Sequence, residues 1–387
     1  MRGRRAGGLA RGCPRWHSSL TVTDTRRSTS LDGAHILVTG GAGFVGSHIA
    51  AGLAGVSGVR VTALDNLKRR GSELKLEPLN AAGVTFVHGD VRIADDLALN
   101  GAPVDVIVDC AAEPSVFAGR SGSPRYVLDS NLGGTLNCLE LARQRGARVV
   151  FLSTSRVYPI AALNALAVDE NESRFVLRDA QPMPGASGAG VAESFPLGGA
   201  RSLYGATKLA SELMIEEYAA AYGCEATVLR LGVIAGPGQM GKAEQGVFCH
   251  WMARHVFGGE LAYHGWGGAG KQVRDLVHVD DVVALVIGAL NSWNSVRGRT
   301  LNAGGGLANS LSLCETTALC AEITGTNVSL GSVAATDKSD VRVYVTDHAA
   351  LTAATGWRPK KDPRAVLSDI FEWLRSDAAR LRAHFTA

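Results

Sequence analysis

The chain has 387 residues, of which 46% are hydrophobic and 19% charged, and its formal net charge is +3 at pH 7. This composition is typical of a globular protein and excludes a disordered one. No uninterrupted apolar run approaches the ~18 residues of a membrane-spanning helix, so there is no sign of a membrane protein.

Residues 1–31 differ from the rest of the chain in composition. They hold seven arginines and one acid, Asp24, so that removing them leaves 32 basic and 35 acidic residues and a net charge of −3. This mildly acidic body argues against a nucleic-acid-binding surface. We expect residues 1–31 to be a disordered basic extension, or to precede the true start. A transit peptide has a similar composition but should show an amphipathic face, and none is evident.

The seven cysteines are scattered, and none forms a Cys-x-x-Cys pair or a Cys/His cluster. An odd, dispersed set predicts reduced, buried thiols in a cytoplasmic protein and no metal site. Cys314 and Cys320 are expected to pack in one helix.

From Ala34 onwards, strand-like segments alternate with helix-like ones. The predicted strands are HILVTG, VRVTALD, GVTFVHGD, DVIVDCAA, ARVVFLSTS and EATVLRLGVIAGP. The helices include NLGGTLNCLELARQRG and ATKLASELMIEEYAAAYG, the second with Leu209, Leu213 and Tyr218 at inner positions. This alternation predicts an α/β fold with a Rossmann-type doubly wound parallel sheet, followed by a smaller C-terminal substrate-binding region.

The stretch TGGAGFVGSH places Gly40, Gly43 and Gly46 between the first predicted strand and the first predicted helix. Glycine permits a tight turn, lets backbone N–H groups approach phosphate oxygens and lets the helix pack closely on the strand. Asp65 ends the second strand, nineteen residues after Gly46. An acid there accepts hydrogen bonds from ribose hydroxyls and repels a 2′-phosphate, so the pattern predicts NAD rather than NADP.

Two features near this site leave alternatives open. Lys68, Arg69 and Arg70 follow Asp65 and are able to hold a 2′-phosphate, which would favour NADP, although NAD remains the expectation. Asp90, after the third strand, is a candidate acceptor for the adenine amino group. The alternative is that Asp90 caps a helix N-terminus.

Tyr204 and Lys208 form a Tyr-x-x-x-Lys pair in SLYGATK. Four residues apart, they share one face of a helix, where a lysine ammonium is expected to lower the tyrosine pKa from about 10. Such a tyrosine acts as a general base near neutral pH. Thr154 ends the fifth strand, where a hydroxyl faces the ligand crevice, although a turn-capping role is the simpler alternative. For a Tyr-x-x-x-Lys pair alone, the simplest interpretation is a surface pair without function. Here a glycine turn, an acid after the second strand and a hydroxyl after the fifth precede it in the expected order, which argues against that interpretation.

The pattern divides the chain into three parts. Residues 1–31 are the extension, residues 32–236 an NAD-binding Rossmann domain, and residues 237–387 mainly a substrate-binding region, of which about 275–310 returns to the first domain. The segment 279–320 is predicted to form helix, strand and helix, and residues 159–203 are loop-rich.

Taken together, these motifs resemble the extended short-chain dehydrogenase/reductases, in the branch of NAD-dependent nucleotide-sugar epimerases and dehydratases. TGGAGFVGSH, NLGGTLN, STSRVY, YGATK and KQVRDLVHVDD carry this resemblance, which covers roughly residues 34–375. Within the branch, DENESRF, AEQGVF, NSLSL and DVRVYVTD are most similar to the CDP-paratose 2-epimerases (CDP-tyvelose epimerases).

The resemblance implies a role for specific residues. Thr154, Tyr204 and Lys208 would be catalytic, and Gln245, Arg274 and Arg342 would bind the substrate, the arginines through its diphosphate. The cofactor-binding residues would be Gly40, Gly43, Phe44, Val45, Gly46, Asp65, Asn66, Asp90, Val91, Ala111, Ala112, Asn131, Tyr204 and Lys208.

Three departures from the family pattern matter. Ser155 and Arg156 stand where dehydratases carry an Asp-Glu pair, so loss of water is not expected. Val233 replaces an asparagine that contacts substrate in many members, and the stretch between Thr154 and Tyr204 is long.

The implied activity is epimerisation of a nucleotide sugar by transient oxidation with tightly bound NAD, in a cytoplasmic homodimer. The alternatives are an epimerase or reductase for a UDP- or GDP-sugar, or a catalytically silent NAD-binding sensor or scaffold. The intact trio Thr154, Tyr204 and Lys208 speaks against the silent protein.

Overall fold

The computed structural model describes residues 31–242 and 245–385. The predicted basic extension therefore lies outside the described residues except for Leu31. That side chain is only 5% exposed and packs in the main core, so the prediction of disorder is wrong for this residue.

Strands and helices alternate over most of the described chain. The strands are β1 (His35–Thr39), β2 (Arg60–Asp65), β3 (Thr85–His88), β4 (Val106–Asp109), β5 (Arg148–Thr154), β6 (Val168–Glu170), β7 (Phe175–Leu177), β8 (Ala186–Ser187), β9 (Gly190–Val191), β10 (Ala226–Leu231), β11 (Val233–Ala235), β12 (Glu260–His264), β13 (Val273–His278), β14 (Thr300–Ala303), β15 (Ser310–Ser312), β16 (Ser329–Val333) and β17 (Val343–Tyr344). The helices are α1 (Phe44–Ala54), α2 (Leu76–Ala81), α3 (Ala94–Leu97), α4 (Arg125–Leu128), α5 (Gly134–Arg145), α6 (Ile160–Asn164), α7 (Leu203–Tyr222), α8 (Val247–Phe257), α9 (Val279–Asn291), α10 (Trp293–Val296), α11 (Leu313–Thr324), α12 (Ala349–Thr355), α13 (Pro363–Ser376) and α14 (Ala378–Phe385).

Seven parallel strands form the central sheet, in the order β3-β2-β1-β4-β5-β10-β14. The chain starts in the middle with β1, runs outward through β2 to β3 at one edge, and then crosses to β4 on the other side of β1, so the strand order reverses between β1 and β4. In such sheets ligands bind in the crevice outside the carboxyl ends of the strands at this reversal. The predicted Rossmann-type sheet is confirmed.

Helices cover both faces of the sheet, as its all-parallel strands require. Side chains alternate along β1, so that Ile36 and Val38 enter one core while Leu37 enters the other. The first core is completed by α1, α2 and α9, and the second by α3, α5 and α7, through residues such as Leu53 and Leu139. This two-sided packing holds the carboxyl ends of the strands in a fixed frame.

The predicted sixth strand is two strands. β10 belongs to the central sheet, whereas β11 pairs with β13 in a second sheet that also holds β15 and β17. Gly232 separates them, and a Cβ there would lie 3.1 Å from both Asp275 Oδ1 and Thr346 Oγ1. Polar side chains therefore crowd the chain at this point, and the single-strand prediction was wrong.

The remainder of the chain largely follows the predicted pattern. The segment 279–320 forms helix, strand and helix in α9, β14 and α11, with β14 at the edge of the central sheet. The loop-rich residues 159–203 carry α6 and two short hairpins, β6–β7 and β8–β9. Cys314 and Cys320 both lie in α11, and the described cysteines are all free. The boundary at residue 236 stays a prediction.

Helix α7 is anchored to the sheet by a buried ion pair. Arg230 on β10 donates to Glu212 on α7 at 2.6 Å, and Ser153 on β5 also hydrogen bonds to Glu212. Breaking such a pair by removing one partner is costly, because the other charge stays buried. The pair therefore fixes α7 against β5 and β10. Leu213, predicted to face inward, is 54% exposed, so that prediction was wrong.

Candidate active site

The glycine-rich turn joins β1 to α1 without room for side chains. Gly40 has φ +62°, and a Cβ there would lie 2.9 Å from the Ala111 backbone. A Cβ on Gly46 would collide with the Gly40 carbonyl oxygen and lie 2.8 Å from its carbon. The first turn of α1 therefore packs directly on the loop, which leaves its N-terminal N–H groups free to bind an anionic group.

Asp65 ties this loop to the end of β2. Its Oδ2 accepts from the Ala42 N–H at 3.1 Å and its Oδ1 accepts from the Leu67 N–H at 2.8 Å. Burial raises the pKa of Asp65, and these backbone donors act in the opposite direction. The carboxylate lines a cavity and is an acceptor suited to ribose hydroxyls.

The three cations beyond Asp65 have partners of their own. The Lys68 amine lies 3.2 Å from the centre of the Tyr126 ring. Arg69 donates to Gln245 Oε1 at 2.7 Å, and Arg70 donates to the Ala383 carbonyl at 2.9 Å. These contacts do not form a dedicated pocket for a 2′-phosphate.

Asp90 is engaged by its neighbours. Arg92 pairs with the carboxylate at 2.6 Å, and Asn66 donates to it at 2.9 Å. The hydrogen bond from Arg92 holds the pKa of Asp90 well below its usual range. Asp90 also accepts from the Arg92 N–H, whereas the N-cap of α3 is Ile93. The helix-capping alternative is therefore wrong, and the adenine contact stays a prediction.

Two adjoining cavities occupy the crevice at the carboxyl ends of the strands. The first, about 810 Å³, is lined by nine of the predicted residues: Gly40, Gly43, Asp65, Asn66, Asp90, Val91, Ala111, Ala112 and Gln245. The second, about 1150 Å³, is lined by Gly40, Gly43, Phe44, Val45, Gly46, Ala112, Thr154, Tyr204, Lys208, Gln245 and Arg274. Because Gly40, Gly43, Ala112 and Gln245 line both, one ligand can extend from one cavity into the other.

Asn131 and Arg342 line neither cavity. Asn131 is fully buried, accepts from the Glu113 N–H at 2.7 Å and donates to Thr207 Oγ1 at 3.0 Å. Arg342 donates to the Leu166 carbonyl at 2.9 Å and lies over the Phe175 and Trp266 rings. In this structure both therefore support the walls, and neither faces the cavities directly.

Thr154, Tyr204 and Lys208 come together in the second cavity. Burial raises the pKa of Tyr204, while a hydrogen bond from Thr154 and the charge of Arg156 lower it. Lys208 is 2% exposed, and its amine lies 4.3 Å from the centre of the Phe151 ring. Burial lowers the pKa of Lys208, an effect opposed first by Asp109.

A second cation, which the sequence did not point to, lies in the cavity of Tyr204. Arg156 lines the same cavity as Tyr204 and Lys208, and its charge lowers the pKa of the phenol. Lys208 lies deeper, against Phe151 and near Asp109 and Glu212. In the sequence, Arg156 stands out only as a departure from the family pattern, and no local pattern places it in the cavity of Tyr204.

Arg274 is held at the outer wall of the second cavity. Its guanidinium donates to Asp340 Oδ1 at 2.9 Å and to the Val273 carbonyl at 2.8 Å. Asp340 lines the cavity too and also accepts from the Trp266 indole at 3.1 Å. No motif in the sequence marks Asp340, which fixes the direction of Arg274.

Two further observations bear on the kind of protein. Within residues 31–242 and 245–385, no helix combines the length and the apolar character needed to cross a membrane. The same residues contain no group of three or more His, Cys, Asp or Glu side chains arranged to hold a metal ion.

Comparisons with known proteins agree with this geometry. Residues 36–304 match the model of the NAD dependent epimerase/dehydratase family. The chain is 31% identical to the CDP-paratose 2-epimerase of Salmonella typhi, over 88% of this chain and 99% of that protein. Two solved structures each span 89% of this chain and 99% of their own. One is UDP-glucose 4-epimerase of Thermotoga maritima with UDP-glucose (27% identity, TM-score 0.71), and the other is that of Thermus thermophilus with NAD (28%, 0.68). The chain is a member of the NAD-dependent epimerase/dehydratase family, an enzyme family whose cofactor is NAD.

Proposed function

We propose that this enzyme inverts a stereocentre of a nucleotide sugar, as a CDP-paratose 2-epimerase does. The observation that carries the proposal is the meeting of Thr154, Tyr204 and Lys208 in a cavity continuous with the nucleotide crevice. The 31% identical relative from Salmonella typhi, aligned over nearly its full length, supports CDP-paratose as the substrate.

The residues of the crevice fit NAD. Its pyrophosphate would lie against Gly40, Gly43, Phe44, Val45 and Gly46, where the absence of Cβ atoms on the glycines allows close approach. Asp65 and Asn66 would hold the adenosine ribose, and Asp90 and Val91 the adenine. Ala111 and Ala112 would line the groove in front of Asn131, and Tyr204 and Lys208 would hold the nicotinamide ribose. NAD, when bound, supplies the acceptor and donor of hydride.

Tyr204 would act as the general base on the sugar hydroxyl. Thr154, which hydrogen bonds to Tyr204, would hold the same hydroxyl from the end of β5. The phenolate takes the hydroxyl proton as the carbon is oxidised, and Tyr204 returns the proton when the opposite face of the keto sugar is reduced. The buried Lys208 contributes a donor on the nicotinamide side.

The residues after Thr154 favour epimerisation over dehydration. Elimination of water needs an acid and a base beside the sugar, and family dehydratases place an Asp-Glu pair there. Ser155 and Arg156 stand at those positions, and neither can accept a proton near neutral pH. Arg274, with Gln245 in the same cavity, would bind the diphosphate, because a guanidinium matches phosphate geometry. Arg342 would act on the substrate only indirectly.

The proposal is tested by NMR of the purified chain with CDP-paratose in D2O, without added NAD. We expect the C2 epimer to form with protium retained at C2, because the hydrogen is stored within the protein. Deuterium at C2 would contradict transient oxidation. If CDP-paratose is inert but a UDP- or GDP-sugar is epimerised with retained protium, the enzyme class stands and the CDP-sugar is wrong. Oxidation of the sugar to a ketone that stops once the resident NAD has been reduced would instead identify a dehydrogenase or reductase.

We also propose that the enzyme is a homodimer through α4, α5 and α7. These neighbouring helices present apolar side chains that are exposed or only half-buried, at spacings of three and four residues that form a continuous stripe on each helix. The stripes are Leu128, Leu132 and Leu136, which run along α4, the π-helical turn Asp129–Gly133 and α5, and Leu203, Ala206, Ala210 and Leu213 on α7. Pairing of two such faces would bury them in a four-helix bundle.

Leu213→Arg should dissociate the dimer, because it places a charge within this apolar face. We expect light scattering after size exclusion to give twice the chain mass for the unchanged protein and the mass of one chain for the variant. Leu307→Arg is the matched control, since Leu307 is 50% exposed but lies outside the face. A Leu213→Arg variant that stays dimeric would exclude this interface.

A further inference from the structure

We propose that Arg156 is a positioning residue that places a guanidinium charge against the Tyr204 hydroxyl and thereby favours its phenolate. The inference deepens the proposed function, in which Tyr204 is the general base. It gives Arg156 a task that differs from the acid–base role of the residue at this position in the family dehydratases.

The first support is the way β5 meets α7. After Thr154, a single 3₁₀ turn of Ser155–Val157 carries the chain across the end of the sheet. A Cβ on Gly205 would collide with the Arg156 carbonyl oxygen and lie 2.9 Å from its carbon. The first turn of α7 is therefore seated on the main chain of Arg156, and Tyr204 is the residue immediately before this contact.

The second support is the coupling of Arg156 to the other catalytic hydroxyl. The Arg156 N–H donates to Thr154 Oγ1 at 3.2 Å. This bond occupies an acceptor site of the threonine oxygen, so that the hydroxyl proton is directed elsewhere. The backbone of Arg156 thus orients Thr154, while its side chain lines the same cavity as Tyr204.

The third support is the charge around the guanidinium. Its Nη1 donates to the Ser339 carbonyl at 3.3 Å, which is a neutral partner. Asp340, the nearby acid, is paired at 2.9 Å with Arg274. Among the described residues, no carboxylate forms an ion pair with Arg156, so its charge is not cancelled locally.

The titratable and charged groups around Tyr204 line one cavity with it. Arg156 follows β5, Lys208 lies on the same helix as Tyr204, and Arg274 and Asp340 line the same cavity and act on the charge of Arg156. Burial lowers the pKa of Arg156 to about 10, which leaves the guanidinium charged at neutral pH. An opposite charge beside a phenol favours its ionised form, in contrast to burial. An acid at position 156 would have the reverse effect.

The test is a titration that does not depend on turnover. The ultraviolet absorbance of tyrosinate is followed against pH in the full-length protein, and subtraction of the same titration of Tyr204→Phe isolates Tyr204. We expect Arg156→Gln to raise the midpoint by about one pH unit, and Arg156→Lys to keep it near the original. Arg120→Gln is the matched control. It removes a cation that is paired with Asp337 at the cavity mouth and that does not face Tyr204, and it should shift nothing.

The pH profile of kcat provides the functional counterpart. Because the phenolate is the reactive form, kcat rises with pH through the pKa of Tyr204. A raised pKa of Tyr204 in Arg156→Gln therefore shifts the rising part of the kcat profile to higher pH. At pH 7 this lowers kcat about tenfold, and kcat recovers at high pH.

The outcomes separate this inference from the proposed function. If the titration midpoint of Tyr204 is unchanged in Arg156→Gln, the inference is overturned. If the KM of that variant is raised at the same time, Arg156 only binds the substrate. A shifted midpoint in a protein that epimerises no nucleotide sugar would retain the inference and remove the function. Arg156→Met, which also lacks the charge, serves if the Gln variant does not fold.

Discussion

Tyr204→Phe is expected to lower kcat for epimerisation by about 10²–10⁴-fold, the usual contribution of a general acid–base group. The substitution removes one oxygen from a side chain whose hydroxyl hydrogen bonds to Thr154. Because the ring is kept, the cavity wall and the fold should be preserved. Steady-state kinetics on the substrate identified by NMR measures the loss, and the melting temperature should change little.

The matched control is Tyr222→Phe on the same helix. Tyr222 is 59% exposed at the far end of α7 and should retain full activity. Tyr204→Phe should also retain its NAD, since the glycine turn and Asp65 are untouched. Undiminished turnover in this variant would remove Tyr204 from the mechanism and favour a different base. A chain that is inactive both before and after the substitution would favour the catalytically silent NAD-binding protein.

The sequence predicted the parts of the fold that depend on local pattern. Apolar runs predict the strands of the central sheet, including β2 with Asp65 at its end. The glycine turn is predicted because only glycine fits the close contacts there. The parallel sheet follows from the alternation of strands and helices. These features need no knowledge of distant contacts.

The failures arise where distant contacts decide. Leu213 is apolar and helical, but among residues 31–242 and 245–385 nothing covers its side chain, which is 54% exposed. The strand around Gly232 is divided because Asp275 and Thr346 approach from other segments. The local sequence predicts neither the exposure of Leu213 nor the contacts of Asp275 and Thr346 near Gly232.

The candidate site shows the same division. Tyr204 and Thr154 were identified by their motifs, and they do meet. Lys208 was expected beside Tyr204 from helical spacing, and that role stays a prediction, whereas the presence of Arg156 in the same cavity follows from the seating of α7 on the turn after β5. Arg342 was expected to bind the substrate because arginine suits phosphate, but its guanidinium is engaged by backbone carbonyls of Asn164 and Leu166.

Gly46→Ala should produce the complementary loss, in which NAD binding fails while the catalytic residues remain in place. In the interior of α1 an alanine would normally be more favourable than glycine, by about 1 kcal/mol. Here the added methyl group would collide with the carbonyl oxygen of Gly40. We therefore expect a net loss of stability of about 1–3 kcal/mol, as for other overpacked sites.

The more specific effect is on the cofactor. To relieve the collision, the turn must move away from α1, and a displacement of about 1 Å at a positioning group can cost roughly 10²-fold. The NAD released on denaturing the purified variant should fall to a small fraction of that from the unchanged protein. Gly288→Ala is the control, because a Cβ there meets no atom within 4 Å. Full NAD content in Gly46→Ala would show that the turn does not hold the pyrophosphate. We expect Gly46→Ala to lose its NAD and to regain activity when NAD is added. We expect Tyr204→Phe to keep its NAD and to stay inactive, so that the two variants separate cofactor binding from chemistry.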